Sequence, residues 1–245
     1  MGKNIQKMTH DEVMSAPTLG LNDTFPFKCK ACGKCCKQRK DLLLTPYDVF
    51  RLARYLGRTP EEIIERRCEV YEGCNSHLPV VRIIPQPPED SCPYLLKRRC
   101  SVHAAKPVLC RVFPLARINK ASGVPEYYYS EDSGCQYAGN EPTTVREWVA
   151  DVASEESERA AAAWTAAVRR LAPVIFDGYE KWPDDQHTKI LNALFVTLYL
   201  PYDTTQDFAL QCEMNVDILC GHLLQEFGIM VPAANELPKR TEDEN

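Results

Sequence analysis

The chain has 245 residues, 44% of them hydrophobic and 26% charged, with a net charge of −5 and a pI near 5.6. That length buries a full core as one domain or two, and the composition is that of a soluble globular protein. The acidic balance argues against general nucleic-acid affinity, which needs a basic surface to displace counterions, and leaves room only for a local basic patch.

Residues 1–24 are polar and lack the apolar run of a signal peptide, so they read as a loosely ordered leader of a cytoplasmic protein. Thr45-Pro46-Tyr47-Asp48 opens a helix that stops at Gly57: threonine caps, proline suits the first turn, and the carboxylate favours the positive end. Thr59-Pro60-Glu61-Glu62 repeats the arrangement and opens a second helix to about Tyr71, closed by Gly73. Residues 78–84 (LPVVRII) are β-branched and read as a strand. Residues 115–119 and 127–130 read as further short strands. Thr143 or Thr144 caps a long helix to about Leu171, whose apolar face through Trp148, Val152, Ala163 and Leu171 is interrupted by polar residues 155–159, where a bend is expected. Residues 187–200 and 206–227 are two more helices, the last burying Phe208, Cys212, Val216, Leu219, Leu223 and Phe227. The most apolar stretch, residues 190–200, is about half of the ~20 residues a membrane helix requires, so no membrane partner is expected. The predicted fold class is α+β, predominantly helical. A cysteine-rich metal-binding module over residues 25–140, with a few short strands, packs against a helical region over 141–231, and residues 232–245 form a disordered polar tail.

Twelve cysteines occur in the chain. Cys29, Cys32, Cys35 and Cys36 fall together as C-x-x-C-G-K-C-C. Two thiolates spaced by two residues can bite one ion at about 2.3 Å each. C-x-x-C-x-x-C is also the spacing by which bacterial ferredoxins present three corners of a cubane. Cys35 and Cys36, on consecutive α-carbons, are expected to point in different directions, so that one serves a second ion or stands as a nearby thiol. Lys28, Lys30, Lys34, Lys37, Arg39 and Lys40 surround the quartet and offset thiolate charge. Cys92, Cys100, Cys110 and Cys135 stand beside prolines or turns that expose sulfur and leave amide N–H groups to donate to it. Arg111 and Phe113 suit the periphery of such a site, a guanidinium donating to sulfur and a ring excluding water. His103 either supplies a nitrogen ligand or packs beside the sulfurs. Cys68, Cys74, Cys212 and Cys220 read as core thiols. Cys212 and Cys220 are separated by a helical rise of ~12 Å and cannot share an ion. His77, His187 and His222 show no ligand spacing, and Tyr127, Tyr128 and Tyr129 read as a core edge. Phosphate-loop, dinucleotide, serine-elbow and HExxH signatures are absent.

In combination, Phe27-x-Cys29-x-x-Cys32-Gly33-x-Cys35-Cys36, Cys92-Pro93-Tyr94-Leu95 and Cys100-x-Val102-His103, leading to Lys106-Pro107-x-x-Cys110-Arg111-x-Phe113-Pro114, resemble the YkgJ-like cysteine-cluster family. The resemblance covers residues 25–138 and extends to Thr45-Pro46-x-Asp48. Lys106 departs from the arginine usual there, His103 stands where tyrosine or histidine occurs, and no family cysteine is missing. The resemblance implies chelation of iron or zinc by Cys29, Cys32, Cys35, Cys36, Cys92, Cys100, Cys110 and Cys135, with Arg111, Phe113 and Lys34 around the cofactor. Two zinc ions, one cubane with a second site, or a cluster held by three cysteines all fit eight sulfurs. Spacing favours an iron–sulfur centre, with a redox role, over zinc. Flagellin lysine N-methylases carry a related cluster, so S-adenosylmethionine-dependent protein methylation is one alternative, although no methyl-donor motif is recognisable. A zinc-stabilised interaction module, its basic loop 28–40 meeting an acidic protein partner, is another.

Overall fold

In the computed structural model of the full chain, the described residues are 18–30, 32–74, 76–119, 125–129, 139–150 and 152–233. The elements up to the middle of the chain are β1 (Thr18–Leu19), β2 (Thr24–Lys28), β3 (Leu43–Leu44), α1 (Pro46–Leu56), α2 (Pro60–Arg67), β4 (Cys68–Glu72), β5 (Pro79–Ile83), β6 (Leu95–Leu96) and β7 (Arg99–Cys100). There follow α3 (Val108–Val112), β8 (Leu115–Asn119), β9 (Pro125–Tyr129), β10 (Gly139–Thr144), α4 (Val145–Val149), α5 (Glu155–Tyr179), α6 (Asp184–Tyr199) and α7 (Phe208–Phe227). Seven α-helices and small antiparallel sheets among the described residues make an α+β fold. The chain divides into two compact units, Met1–Leu42 with Ile84–Glu158, and Leu43–Ile83 with Arg159–Asn245. None of the described helices is long and apolar enough to cross a membrane.

The first unit holds the cysteine loops. Its strand β2 alternates, so Phe25 and Phe27 turn inward while Thr24, Pro26 and Lys28 face out. It pairs antiparallel with β10, setting Lys28 opposite Gly139. Phe25 and Phe27 pack with Val112, Leu115, Tyr127, Val145, Val149 and Val152. The Trp148 ring stands edge-on to Phe27, and its indole N–H donates to the carbonyls of Val112 and Phe113 at 3.1 and 3.2 Å. The core thus grips the strand entering the quartet and the end of helix α3, which carries Cys110. A three-stranded sheet β1-β9-β8 buries Tyr127 and Tyr128, at 1% and 2% exposure, so the tyrosine run belongs to the core.

The second unit contains the sheet β3-β5-β4 and the helices α1, α2, α6 and α7 with most of α5. Tyr47, Phe50, Ala160, Ala163, Tyr202, Phe208, Ala209 and Cys212 form its aromatic-rich core. The Tyr199 hydroxyl donates toward the carbonyls of Leu44 and Pro79 at 3.4 Å, tying α6 to the sheet. Both Thr-Pro starts are capping boxes: Thr45 and Asp48, and Thr59 and Glu62, exchange side-chain and backbone hydrogen bonds.

Several expectations differ from what is observed. Thr18–Leu19 and Thr24 are strand residues rather than leader, because pairing to β9 and β10 satisfies their backbone; residues 1–17 lie outside the described residues. The second helix ends at Arg67, not Tyr71. Cys68–Glu72 pairs residue for residue with Pro79–Ile83, and that cross-strand pairing outweighs helical propensity. The long helix expected from residue 143 is two helices, α4 capped by Thr144 and α5 starting at Glu155. The break therefore precedes the polar span, and α5 runs on past Pro173 to Tyr179. In the tail, residues 234–245 lie outside the described residues.

Candidate metal centre

Strand β2 delivers the chain to Cys29, which is exposed, and then to Cys32, half-buried. Gly33 follows in the left-handed region at φ 72°. A Cβ there would come within 3.1 Å of both the Arg98 carbonyl and the Leu95 side chain, so backbone conformation and close approach to the β6–β7 hairpin both require glycine. A 3₁₀ turn, Lys34–Cys36, comes next, closed by the Cys36 amide on the Gly33 carbonyl at 3.1 Å. In this turn the Cys35 and Cys36 sulfurs are 4.0 Å apart, not directed away from each other. Consecutive Cβ atoms of a helical turn tilt the same way along the axis, whereas those of a strand alternate. Two sulfurs bound at about 2.3 Å to one tetrahedral ion would stand about 3.8 Å apart.

A second stretch of chain interlocks with this loop. The Cys92 amide donates to the Cys36 carbonyl at 2.7 Å, Gln38 to Glu89 at 3.0 Å, and Arg39 to Asp90 at 3.3 Å. Lys37 pairs with Glu89 at 2.6 Å and Lys40 with Asp90 at 3.0 Å, while Lys28 pairs with Glu141. Three lysines of the basic loop therefore meet carboxylates of their own chain. Gln86 and Ser91 close the 86–91 loop by exchanging backbone hydrogen bonds. Strand pairing then places Cys100 opposite Leu95.

These connections link the sulfurs in a chain of electrostatic neighbours: Cys36 senses Cys35, Cys92 and Cys110, Cys92 senses Cys100 and Cys35, and Cys100 senses Cys35. The hydrogen bond shared with the Cys36 thiol lowers Cys35 against the opposing effect of burial, with help from the charges of Lys106 and Arg39. The same hydrogen bond pushes Cys36 up, reinforced by burial and by the neighbouring sulfurs of Cys35, Cys92 and Cys110. Burial raises Cys92 and Cys100, partly offset by the amides of Tyr94 and Val102 donating to sulfur, as their turn settings imply. Among the described residues no group of three or more His, Cys, Asp or Glu side chains closes to the geometry of a finished metal site. The sulfurs form a neighbourhood rather than a completed shell. Their chemistry fits a thiophilic metal: clustered thiols, one already inclined to ionise, with a buried cation beside them.

That cation is Arg39, one of the bases expected to surround the quartet and the one of them that is buried. It is 7% exposed, donates to both Asp41 carboxylate oxygens at 2.7 and 3.3 Å, and donates to the Cys35 carbonyl at 3.1 Å. Its position within K-Q-R-K-D, with Asp41 two residues on, is the signal the sequence offered. Phe113 packs on Phe27 at a ring separation of 6.3 Å, on the hydrophobic side of α3. Arg111 donates to the His103 carbonyl at 3.4 Å, Lys34 is exposed on the 3₁₀ turn, and His103 is exposed. Partial desolvation, followed by the charges of Lys106 and Arg111, lowers the His103 pKa. Cys135 lies outside the described residues. Cys68 and Cys212 are buried thiols, pushed by burial to about 12 and about 11. Cys74 is exposed. His77 and His187 both stack on the Tyr179 ring, at 3.5 and 4.5 Å between centroids.

Residues 28–147 match the family model CxxCxxCC, described as "Putative zinc- or iron-chelating domain". No curated protein and no solved structure matches the chain.

Proposed function

We propose that this protein, whose residues 28–147 match the CxxCxxCC family model, chelates iron, held as an iron–sulfur cluster, or zinc, through sulfurs drawn from Cys29, Cys32, Cys35, Cys36, Cys92, Cys100, Cys110 and Cys135. The observation that carries the proposal is the gathering of five thiols, at positions 35, 36, 92, 100 and 110, from three separate stretches of chain. An all-sulfur donor set suits zinc and iron–sulfur centres and disfavours magnesium or calcium, which take oxygen. The C-x-x-C-x-x-C spacing favours the cluster. When bound, an iron–sulfur centre supplies one-electron chemistry and zinc supplies a structural cross-link.

The chain's own residues prepare the sulfurs. Gly33 lets the quartet press onto the β6–β7 hairpin, and the interlock of residues 36–40 with 89–92 fixes Cys36 against Cys92. The Tyr94 and Val102 amides donate to Cys92 and Cys100, which stabilises them as thiolates. Arg39 holds the Cys35 carbonyl and adds positive charge next to Cys35 and Cys92. Thiolate chelation of this kind fits the reducing cytoplasm.

Elemental and sulfide analysis of protein purified without air tests the proposal. Iron with matching inorganic sulfide, and a broad visible absorption, identifies a cluster. Stoichiometric zinc in colourless protein identifies the structural alternative. Cys110→Ser is expected to lose metal while Cys68→Ser keeps it. Protein that retains neither metal, or a Cys110→Ser variant with full content, refutes chelation by these sulfurs.

A further inference from the structure

Helices α6 and α7 pack against each other in the second unit and leave between them an open cleft of about 970 Å³. Its apolar floor includes Ala193, Val196, Ile218 and Phe227. Leu210, Met214 and Ile218 recur every four residues along α7, so they share one helical face, and they are 59%, 63% and 62% exposed. Leu224 is exposed on the flank of this stripe, about 120° around the helix from Ile218. Gly221 lies within it, and a Cβ added there would meet nothing within 4 Å, so the stripe carries a gap where another side chain can sit. With 20 residues in α7, the face runs about 30 Å, enough to seat several helical turns.

Carboxylates outnumber cations around this face. From Asp184 to Phe227 the sequence holds seven carboxylates and a single lysine or arginine, Lys189. Lys189 is spent on Asp185 at 3.1 Å, and Asp217 pairs with Arg170 at 3.1 Å. Glu213 and Glu226 make no ion pair among the described residues, and α7 contains no lysine or arginine. A second copy of this chain would bring one acidic rim against another, and like-charge apposition opposes that pairing. A cationic partner removes the repulsion.

We propose that the α6–α7 face is a docking groove for a basic amphipathic helix of another protein. The partner's apolar residues lie over Val196, Met214 and Ile218, and its lysines or arginines flank them toward Glu213 and Glu226. Exposed methionine adapts to the shape of the incoming side chains.

The test uses the full chain and a fluorescein-labelled synthetic helix of about 18 residues, with leucines on one face and lysines on the other. Fluorescence anisotropy is expected to show saturable binding that weakens as salt is raised. Two control peptides are used, one with glutamate in place of lysine and one of scrambled order, and both are expected to bind at least tenfold more weakly. Ile218→Glu and Glu226→Lys are each expected to weaken the lysine peptide severalfold or more, with circular dichroism and thermal midpoint unchanged because both sites are exposed. Equal binding of the scrambled peptide overturns the groove in favour of unspecific charge attraction. So does undiminished binding to Ile218→Glu. Sedimentation showing a stable dimer that Ile218→Glu dissociates also overturns it, assigning the face to a second copy.

Discussion

Arg39 and Lys40 are adjacent, each with a carboxylate partner, yet they occupy different physical situations. The Lys40 side chain is 68% exposed against Asp90, an ion pair that water and salt screen and that contributes about 0–1 kcal/mol. The Arg39 side chain is 8% exposed and binds Asp41 in a fork while holding the Cys35 carbonyl. A planar guanidinium can do both, whereas an ammonium presents no such fork. Its charge also lies near Cys35 and Cys92, where the proposed metal–thiolate centre would gather negative charge. Arg39→Gln is therefore expected to weaken metal binding on the order of 10–100-fold at unchanged stoichiometry, the range seen for residues that orient ligands. Lys40→Gln serves as the surface control and is expected to change affinity little. Competition with a chromogenic chelator measures both. Equal affinities for the two variants would remove Arg39 from the centre.

At the scale of elements, what was legible in the sequence is what depends on neighbours a few residues apart. Thr45, Thr59 and Thr144 each cap a helix through an acidic residue three positions on, and all three boxes are formed. Strand β4 was not legible, because its choice depends on Pro79–Ile83 folding back beyond a turn. The centre divides in the same way. Thiol type and spacing announce the cysteines, but the 4.0 Å approach of Cys35 and Cys36 and the acid partners Glu89 and Asp90 exist only once distant loops interlock. The caps also carry a pH signature. The Thr59 amide, followed by the Arg58 guanidinium, holds the Glu62 carboxyl below its ordinary 4.5. A carboxyl depressed in the folded state contributes stability above its unfolded value, and that contribution is lost as pH falls through the folded value. The stability deficit of Glu62→Gln in urea should accordingly be present near neutrality and shrink progressively below pH 4.5. A deficit that persists unchanged into strong acid would mean that the amide, not the charge, makes the cap.

Across the whole molecule the two units secure their chain by different means. The second has long helices, α5, α6 and α7, over an aromatic core of Tyr47, Phe50, Tyr202 and Phe208. The first relies on two- and three-stranded sheets and the five-residue helices α3 and α4, and its residues 32–42 and 84–114 are mostly loops joined by single hydrogen bonds and ion pairs. Segments with few regular backbone hydrogen bonds open at low free energy unless something else joins them. A metal bound by sulfurs from positions 35, 92 and 110 would join them, closing loops whose ends are far apart in sequence and adding its binding energy to folding. Removing the metal with a chelator under reducing conditions should thus speed amide exchange in residues 33–41, 89–101 and 108–112. Exchange in α6 and α7 should stay unchanged, because their hydrogen bonds are internal to helices packed on a separate core. Hydrogen–deuterium exchange read by mass spectrometry, with and without chelator at fixed pH, resolves the two regions in one measurement. Acceleration in α6 and α7 to the same degree would show that the metal secures the whole chain. Unchanged exchange everywhere would show that these loops hold together without it.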